Sequence, residues 1–220
     1  MASPDLLGTE ALPRLAFAVE SATAVEYAAA PTIAFGLVVE SDRPVRSLSL
    51  NAQIRIAPAR RGYDAAEEQR LVELFGTPDR WHETLRGFLW TNATLVVPQF
   101  TDTGRAALTV PCTYDLEVAA AKYFNALADG EVPLELLFSG SVFYTGDTGM
   151  LRTARIPWDC EARFGLPVAV WKQAIENRFP GTAWLRLDRE VFDRLLAYKA
   201  GRTLPTWEAA IGELLDRSDG

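Results

Sequence analysis

The chain has 220 residues, 49% of them apolar and 23% charged, which suffices for a large packed core and excludes a disordered body. Its formal net charge of -7 argues against nucleic acid or an anionic membrane surface as the main partner, because both are held by Lys and Arg. The longest uncharged apolar stretch, residues 27–39, falls short of the roughly 20 residues that a membrane helix requires.

Residues 1–14 are small, polar and broken by proline, and are expected as a flexible lead-in. Asp5 and Glu10 precede any Arg or Lys, so no basic signal region is expected and the protein reads as cytoplasmic. Strands are predicted over 15–25 and 32–40. The clearest lies over 47–56, where Leu48, Leu50, Ala52, Ile54 and Ile56 alternate with Ser47, Ser49, Asn51, Gln53 and Arg55. A period of two held for ten residues requires an antiparallel strand with one wet face.

A helical insertion over 64–90 follows. Asp64 and Glu67 have capping-box spacing, Leu71, Leu74 and Phe75 form the apolar stripe, and Gly76 ends the helix. Thr77 and Pro78 open a second helix in which Trp81, Leu85, Phe88 and Leu89 share a face. Strands resume over 93–100 and 106–112. Residues 115–127 read as a helix capped by Asp115 that buries Leu116, Ala120, Tyr123 and Leu127, with a strand as the rival. A long strand over 132–144, bulged at Gly140, pairs back with one over 151–158.

From Pro167 the period becomes helical. Val168, Trp171 and Ile175 share one face. Asp188 caps a helix carrying Val191, Phe192, Leu195 and Leu196, and Thr206 starts another in which Trp207, Ala210, Ile211, Leu214 and Leu215 face inward. The expected fold is α+β: an antiparallel β-sandwich or open barrel over 15–162, the two-helix insertion, and a helical C-terminal segment over 163–217 packed on the β domain.

Catalytic motifs are missing. His82 is the lone histidine and reads as a helix-surface residue, and there is no P-loop, dinucleotide fingerprint or nucleophile elbow. Cys112 and Cys160 have neither Cys-x-x-Cys nor zinc spacing. Asp115 and Glu117 follow Cys112, while Asp159 and Glu161 bracket Cys160; both groups read as solvated loop acids, so no metal and no cofactor are expected. Arg43, Arg46, Arg55, Arg60 and Arg61 share one stretch with a single acid, Asp42. Arginine forks suit carboxylate partners, so Arg55, Arg60 and Arg61, with Tyr63, are the candidate partner-binding residues; pairing with the chain's own acids is the competing reading. Trp158, Trp171, Trp184 and Trp207 read mainly as core, and any one of them standing in solvent would mark an interaction surface.

Several strings resemble an uncharacterised family of high-GC bacteria: Gln53-Ile54-Arg55-Ile56, Arg61-Gly62-Tyr63, Leu74-Phe75-Gly76, Val110-Pro111-Cys112-Thr113-Tyr114-Asp115, Ala119-Ala120-Ala121-Lys122-Tyr123, Asp129-Gly130-Glu131-Val132-Pro133-Leu134, Phe138-Ser139-Gly140, Ile156-Pro157-Trp158 and Leu204-Pro205-Thr206-Trp207. The resemblance spans residues 17–215. It implies a gene neighbourhood near nickel–iron uptake hydrogenases, hence an accessory role with a hydrogenase component as partner, and it brings no catalytic residues. The expected function is a non-catalytic binding or assembly module. Its rivals are an enzyme of unfamiliar type with acids in a cleft, and a holdase-like β-module.

Overall fold

The two-residue alternation over 47–56 becomes the centre of the structure, a computed structural model that describes residues 12–113, 115, 118–182 and 185–218. Strand β3, Val45–Ile56, buries Leu48, Leu50, Ala52, Ile54 and Ile56 at 2% exposure or less and leaves Ser49 and Asn51 in solvent. It is flanked on both sides, by β4 (Phe88–Val97) and β6 (Glu131–Thr145), all antiparallel. Beyond β6 lie β7 (Leu151–Arg155) and β8 (Glu161–Pro167), which pair with successive halves of that one long strand. A second antiparallel sheet has the order β1 (Leu15–Ala24), β2 (Thr32–Ser41), β5 (Thr103–Pro111).

The inner faces of the two sheets share one apolar core. Phe17 of β1 stacks on Phe138 of β6 at 4.4 Å between ring centroids, and Phe35 of β2 meets Phe164 of β8 edge-on at 6.0 Å. Each fully buried Leu, Ile or Phe contributes about 1.5–3 kcal/mol. The arrangement is two-layered and sandwich-like, not a closed barrel.

The six α-helices among the described residues are α1 (Ala65–Phe75), α2 (Trp81–Thr84), α3 (Ala119–Ala126), α4 (Val168–Arg178), α5 (Arg189–Gly201) and α6 (Trp207–Ser218). Asp64 caps α1, accepting from Glu67 N at 2.7 Å, and Gly76 ends it at φ +74°. The second insertion helix differs from expectation. A 3-10 turn, Pro78–Arg80, leads into the four residues of α2, the Thr77 side chain makes no cap bond, and Phe88 and Leu89 belong to β4. Arg86-Gly87 breaks the helix, and Phe88 gains more from pairing with Ile56 than from another helical turn.

The segment after β5 is helical, not strand, but α3 begins at Ala119; Asp115 does not cap it, and Leu116 lies outside the described residues. Ala120, Tyr123 and Leu127 are buried as expected. Residues 163–167, expected to open the helical segment, are strand, and the helical period starts at Val168. The run 156–158, expected to end the preceding strand, lies outside it.

Contact density divides the chain into two units, Met1–Ala183 and Trp184–Gly220. In the second, Asp188 accepts from Glu190 N at 2.9 Å and Thr206 Oγ1 from Ala209 N at 3.1 Å, so both expected caps form. Phe192 and Trp207 meet at 5.4 Å. Ala210 is buried, whereas Ile211, Leu214 and Leu215, expected to face inward, are exposed, since two helices cover each other along one seam only.

Candidate functional site

The arginines do not form one patch. Arg46 and Arg55 sit nine positions apart on β3, about 30 Å at strand rise. At the first end Arg43 pairs with Asp147 at 3.2 Å, and Arg46 Nε donates to Thr145 Oγ1 at 3.0 Å. At the other end Arg55 Nη2 donates to the Gly87 carbonyl at 3.3 Å, and Arg60 pairs with Glu135 at 2.6 Å. Arg60 also lines a shallow cleft of about 290 Å³ with Arg163, Glu131 and Phe164.

Arg61 is drawn inside. Its Nη2 meets Oε1 and Oε2 of Glu67 at 3.0 and 2.9 Å, and Glu67 is only 3% exposed. Glu67 Oε1 also accepts from Ala128 N at 2.9 Å, so one carboxylate ties the start of α1 to the segment between α3 and β6. In a capping box this Glu would reach back to the cap N–H; here the guanidinium takes it instead. The Arg61 guanidinium lies 5.0 Å from the centroid of the Tyr63 ring. Tyr63 Oη donates to the Pro58 carbonyl at 2.7 Å and lies 2.7 Å from Tyr123 Oη. Arg61 and Tyr63 thus brace the insertion against α3.

The remaining groups are placed apart. His82 is exposed, with Nδ1 3.0 Å from the Asp79 carbonyl. Cys112 follows β5, Cys160 precedes β8, both are buried, and they form no disulfide. Burial pushes the Cys112 thiol up to about 12, and burial followed by the Asp159 charge raises that of Cys160. Raised thiols are poor nucleophiles and poor metal ligands near neutral pH. Asp159 and Glu161 border a cleft of about 410 Å³ with Cys160 and Arg14. Among the described residues no three His, Cys, Asp or Glu side chains gather as a metal site; Glu117 lies outside them.

These protons carry a pH dependence. Between about pH 9 and 12 the unfolded chain releases the Cys112 proton while the folded chain keeps it, so stability falls as pH rises. Tyr123, raised by burial and by the Tyr63 hydrogen bond, adds to the loss above its ordinary value of 10.0. Unfolding free energies from denaturant titrations at pH 8 to 11 are expected to drop by about 1.4 kcal/mol per pH unit for each group titrating only in the unfolded chain. Cys112→Ala should flatten the slope between pH 9 and 10.

The most unusual surface lies between β7 and β8, at Trp158, one of the four tryptophans expected mainly as core. Leu137 pairs with Glu161 and Ser141 with Arg155, so three residues of β6, 138–140, face five, 156–160. The bulge anticipated at Gly140 therefore lies in the facing chain. Gly140 accommodates it at φ +132°, with its carbonyl accepting from Ile156 N and Phe138 N donating to the Cys160 carbonyl. Ile156 and Cys160 turn inward, and the surplus residues loop out with Trp158 94% exposed. Met150 and Leu151, on the adjoining hairpin, are 68% and 67% exposed. Trp171, in contrast, is buried, Trp207 is half-buried, and Trp184 lies outside the described residues. The signal was present: a proline and an aspartate enclose Trp158 between two strands.

Fold and surface together define a two-sheet antiparallel β protein with a helical insertion and a bulge that displays a tryptophan. The chain belongs to the family of unknown function DUF6084, whose model matches residues 12–220. No curated protein matches it. Among solved structures it is similar to a β-glucosidase from Kluyveromyces marxianus at 9% identity and a TM-score of 0.29, covering 70% of this chain and 15% of the glucosidase. A CARDB domain from Pyrococcus furiosus, crystallised with di-metal ions, gives 11% identity and a TM-score of 0.26, with 70% and 86% covered. The fimbrial subunit AggA of Escherichia coli gives 10% and 0.27, with 71% and 97% covered. TM-scores this low carry no inference about this chain.

Proposed function

We propose that this is a non-catalytic accessory protein of the cytoplasm that binds another protein through the Trp158 bulge and the neighbouring β6–β7 hairpin. The observation that supports this reading is the 94% exposure of Trp158. A side chain of that size left in water contributes little to folding and forfeits about 1.5–3 kcal/mol of burial. Tryptophan is the residue most enriched at binding hot spots, and bulges re-aim side chains outward. The partner implied by the resemblance is a component of a nickel–iron hydrogenase.

Affinity purification of the tagged protein from its native host, followed by mass spectrometry, tests this. The wild type should recover a stoichiometric partner, and Trp158→Ala should lose it while keeping its circular dichroism and melting temperature. Equal recovery by both proteins removes the bulge from the interface, and no partner with either counts against the binding role itself.

A further inference from the structure

We infer that the groove beside the Trp158 bulge seats Lys or Arg side chains from a basic segment of the partner protein, which rests on the partner-binding reading above and names the chemistry of what is bound. Two clefts, of about 410 and 330 Å³, meet along the start of β1, where Arg14, Leu15 and Ala16 line both. One wall is the bulge itself: Pro157 and Asp159, the residues on either side of Trp158, line the larger cleft. The opposite wall comes from the end of β2, with Glu40 and Asp42 in the smaller cleft. The backbone pins that wall in place. Asp42 Oδ1 accepts from Arg14 N at 2.8 Å, and Leu15 pairs with Ser41 at the end of the β1–β2 ladder.

Charge and shape select the occupant together. Four carboxylates border the groove, those of Glu40, Asp42, Asp159 and Glu161, against one lining guanidinium, Arg14. Arg163 reaches Glu161 at 3.5 Å, and the count still leaves two negative charges in excess. The floor is apolar: Leu15 and Phe17 are half-buried, and Phe17 is held by its stack on Phe138 at 4.4 Å. An apolar floor under an acidic rim fits a side chain with a long methylene stem and a cationic head, and Lys and Arg have both. Trp158, 94% exposed beside this rim, offers a ring face to a further cation. The chain's own residues 1–13 carry two acids and no Lys or Arg, so they do not supply the match. A cationic segment of another protein does.

The probe is a blocked peptide alternating Lys and Val, compared by titration at low salt with Gln/Val and Glu/Val peptides of the same length. The Lys peptide should bind about tenfold or more tighter than the Gln peptide. Asp42→Asn combined with Asp159→Asn should remove that advantage at an unchanged melting temperature, because the amide oxygen at position 42 still accepts from Arg14 N. Glu26→Gln combined with Glu83→Gln takes the same charge from exposed sites that do not line the groove, and should bind the Lys peptide within about twofold of wild type. Capture of the partner from the host should fall with the first pair and not with the second. Equal affinity for the Lys and Gln peptides, or an equal loss in the control pair, overturns the proposal. Self-association that the Lys peptide reverses would make the occupant a second copy, which also overturns it. If Trp158→Ala loses the partner while Asp42→Asn with Asp159→Asn keeps it, the groove proposal fails and the binding role stands; if both keep it, both fail.

Discussion

Arg61→Ala is expected to lower the unfolding free energy by about 3–5 kcal/mol, the cost of leaving one member of a buried ion pair without its partner. Glu67 is 3% exposed, and its two oxygens receive the guanidinium at 2.9 and 3.0 Å. After truncation the Ala128 N–H is the donor that remains to it across the interface. The contact of the guanidinium with the Tyr63 ring at 5.0 Å goes as well. In a chain of this size such a loss lowers the melting temperature by about 10 °C. Arg61→Lys should recover only part of it, because an ammonium keeps the charge but loses the bonds that Nε and Nη1 donate to the Gly62 and Asp129 carbonyls. Arg61→Met with Glu67→Leu should recover most, since an apolar pair removes the charge that must be compensated. Urea midpoints of the four proteins decide this, and an unchanged midpoint for Arg61→Ala would return Arg61 to the surface role suggested by its sequence context.

Gly140→Ala is expected to cost about as much, roughly 3–5 kcal/mol, by a different route. A Cβ at this position would stand 2.0 Å from the Ser49 carbonyl oxygen, and φ is +132°. The site lies where β6 passes from β8 to β7, so the sheet cannot yield without disturbing β3, its central strand. Circular dichroism melts measure the loss. Gly149→Ala, also at positive φ but with open space around its Cβ, serves as the control and should cost less.

The legible part of the fold was the part written as repetition. Leu48 to Ile56 alternates without interruption, and the β3 it specifies organises the sheet. Asp64, Asp188 and Gly76 fixed helix ends because caps act within one turn. Phe88 and Leu89 misled because their spacing from Trp81 and Leu85 is helical, while the competing attraction, pairing with Ile56 and Arg55, is distant in sequence. The strand Glu161–Pro167 was invisible because Ala162 and Gly165 are weak strand formers and its partner is decided by the bulge.

The site was less legible. Arg55, Arg60, Arg61 and Tyr63 were rightly seen as neighbours in the sequence, yet side-chain direction separates them: Arg60 goes to Glu135, Arg55 to Gly87, and Arg61 and Tyr63 into the interior. No periodic signal announces a pair such as Arg61 and Glu67 that closes across a helix cap. Trp158 was read mainly as core for the reverse reason. Tryptophan is buried by default, and its exposure follows from five residues facing three, a count that exists only once the strands are paired.

A paired measurement of Arg61→Ala and Trp158→Ala separates a residue that holds the fold from one proposed to meet a partner. Each variant is scored twice: by urea midpoint, and by affinity for the partner recovered from the host, measured below the melting temperature. The predicted result is crossed, with Arg61→Ala losing stability but binding within about threefold of wild type, and Trp158→Ala keeping its midpoint while binding falls at least about thirtyfold. Full-affinity binding by Trp158→Ala, or abolished binding by a still-folded Arg61→Ala, would contradict it.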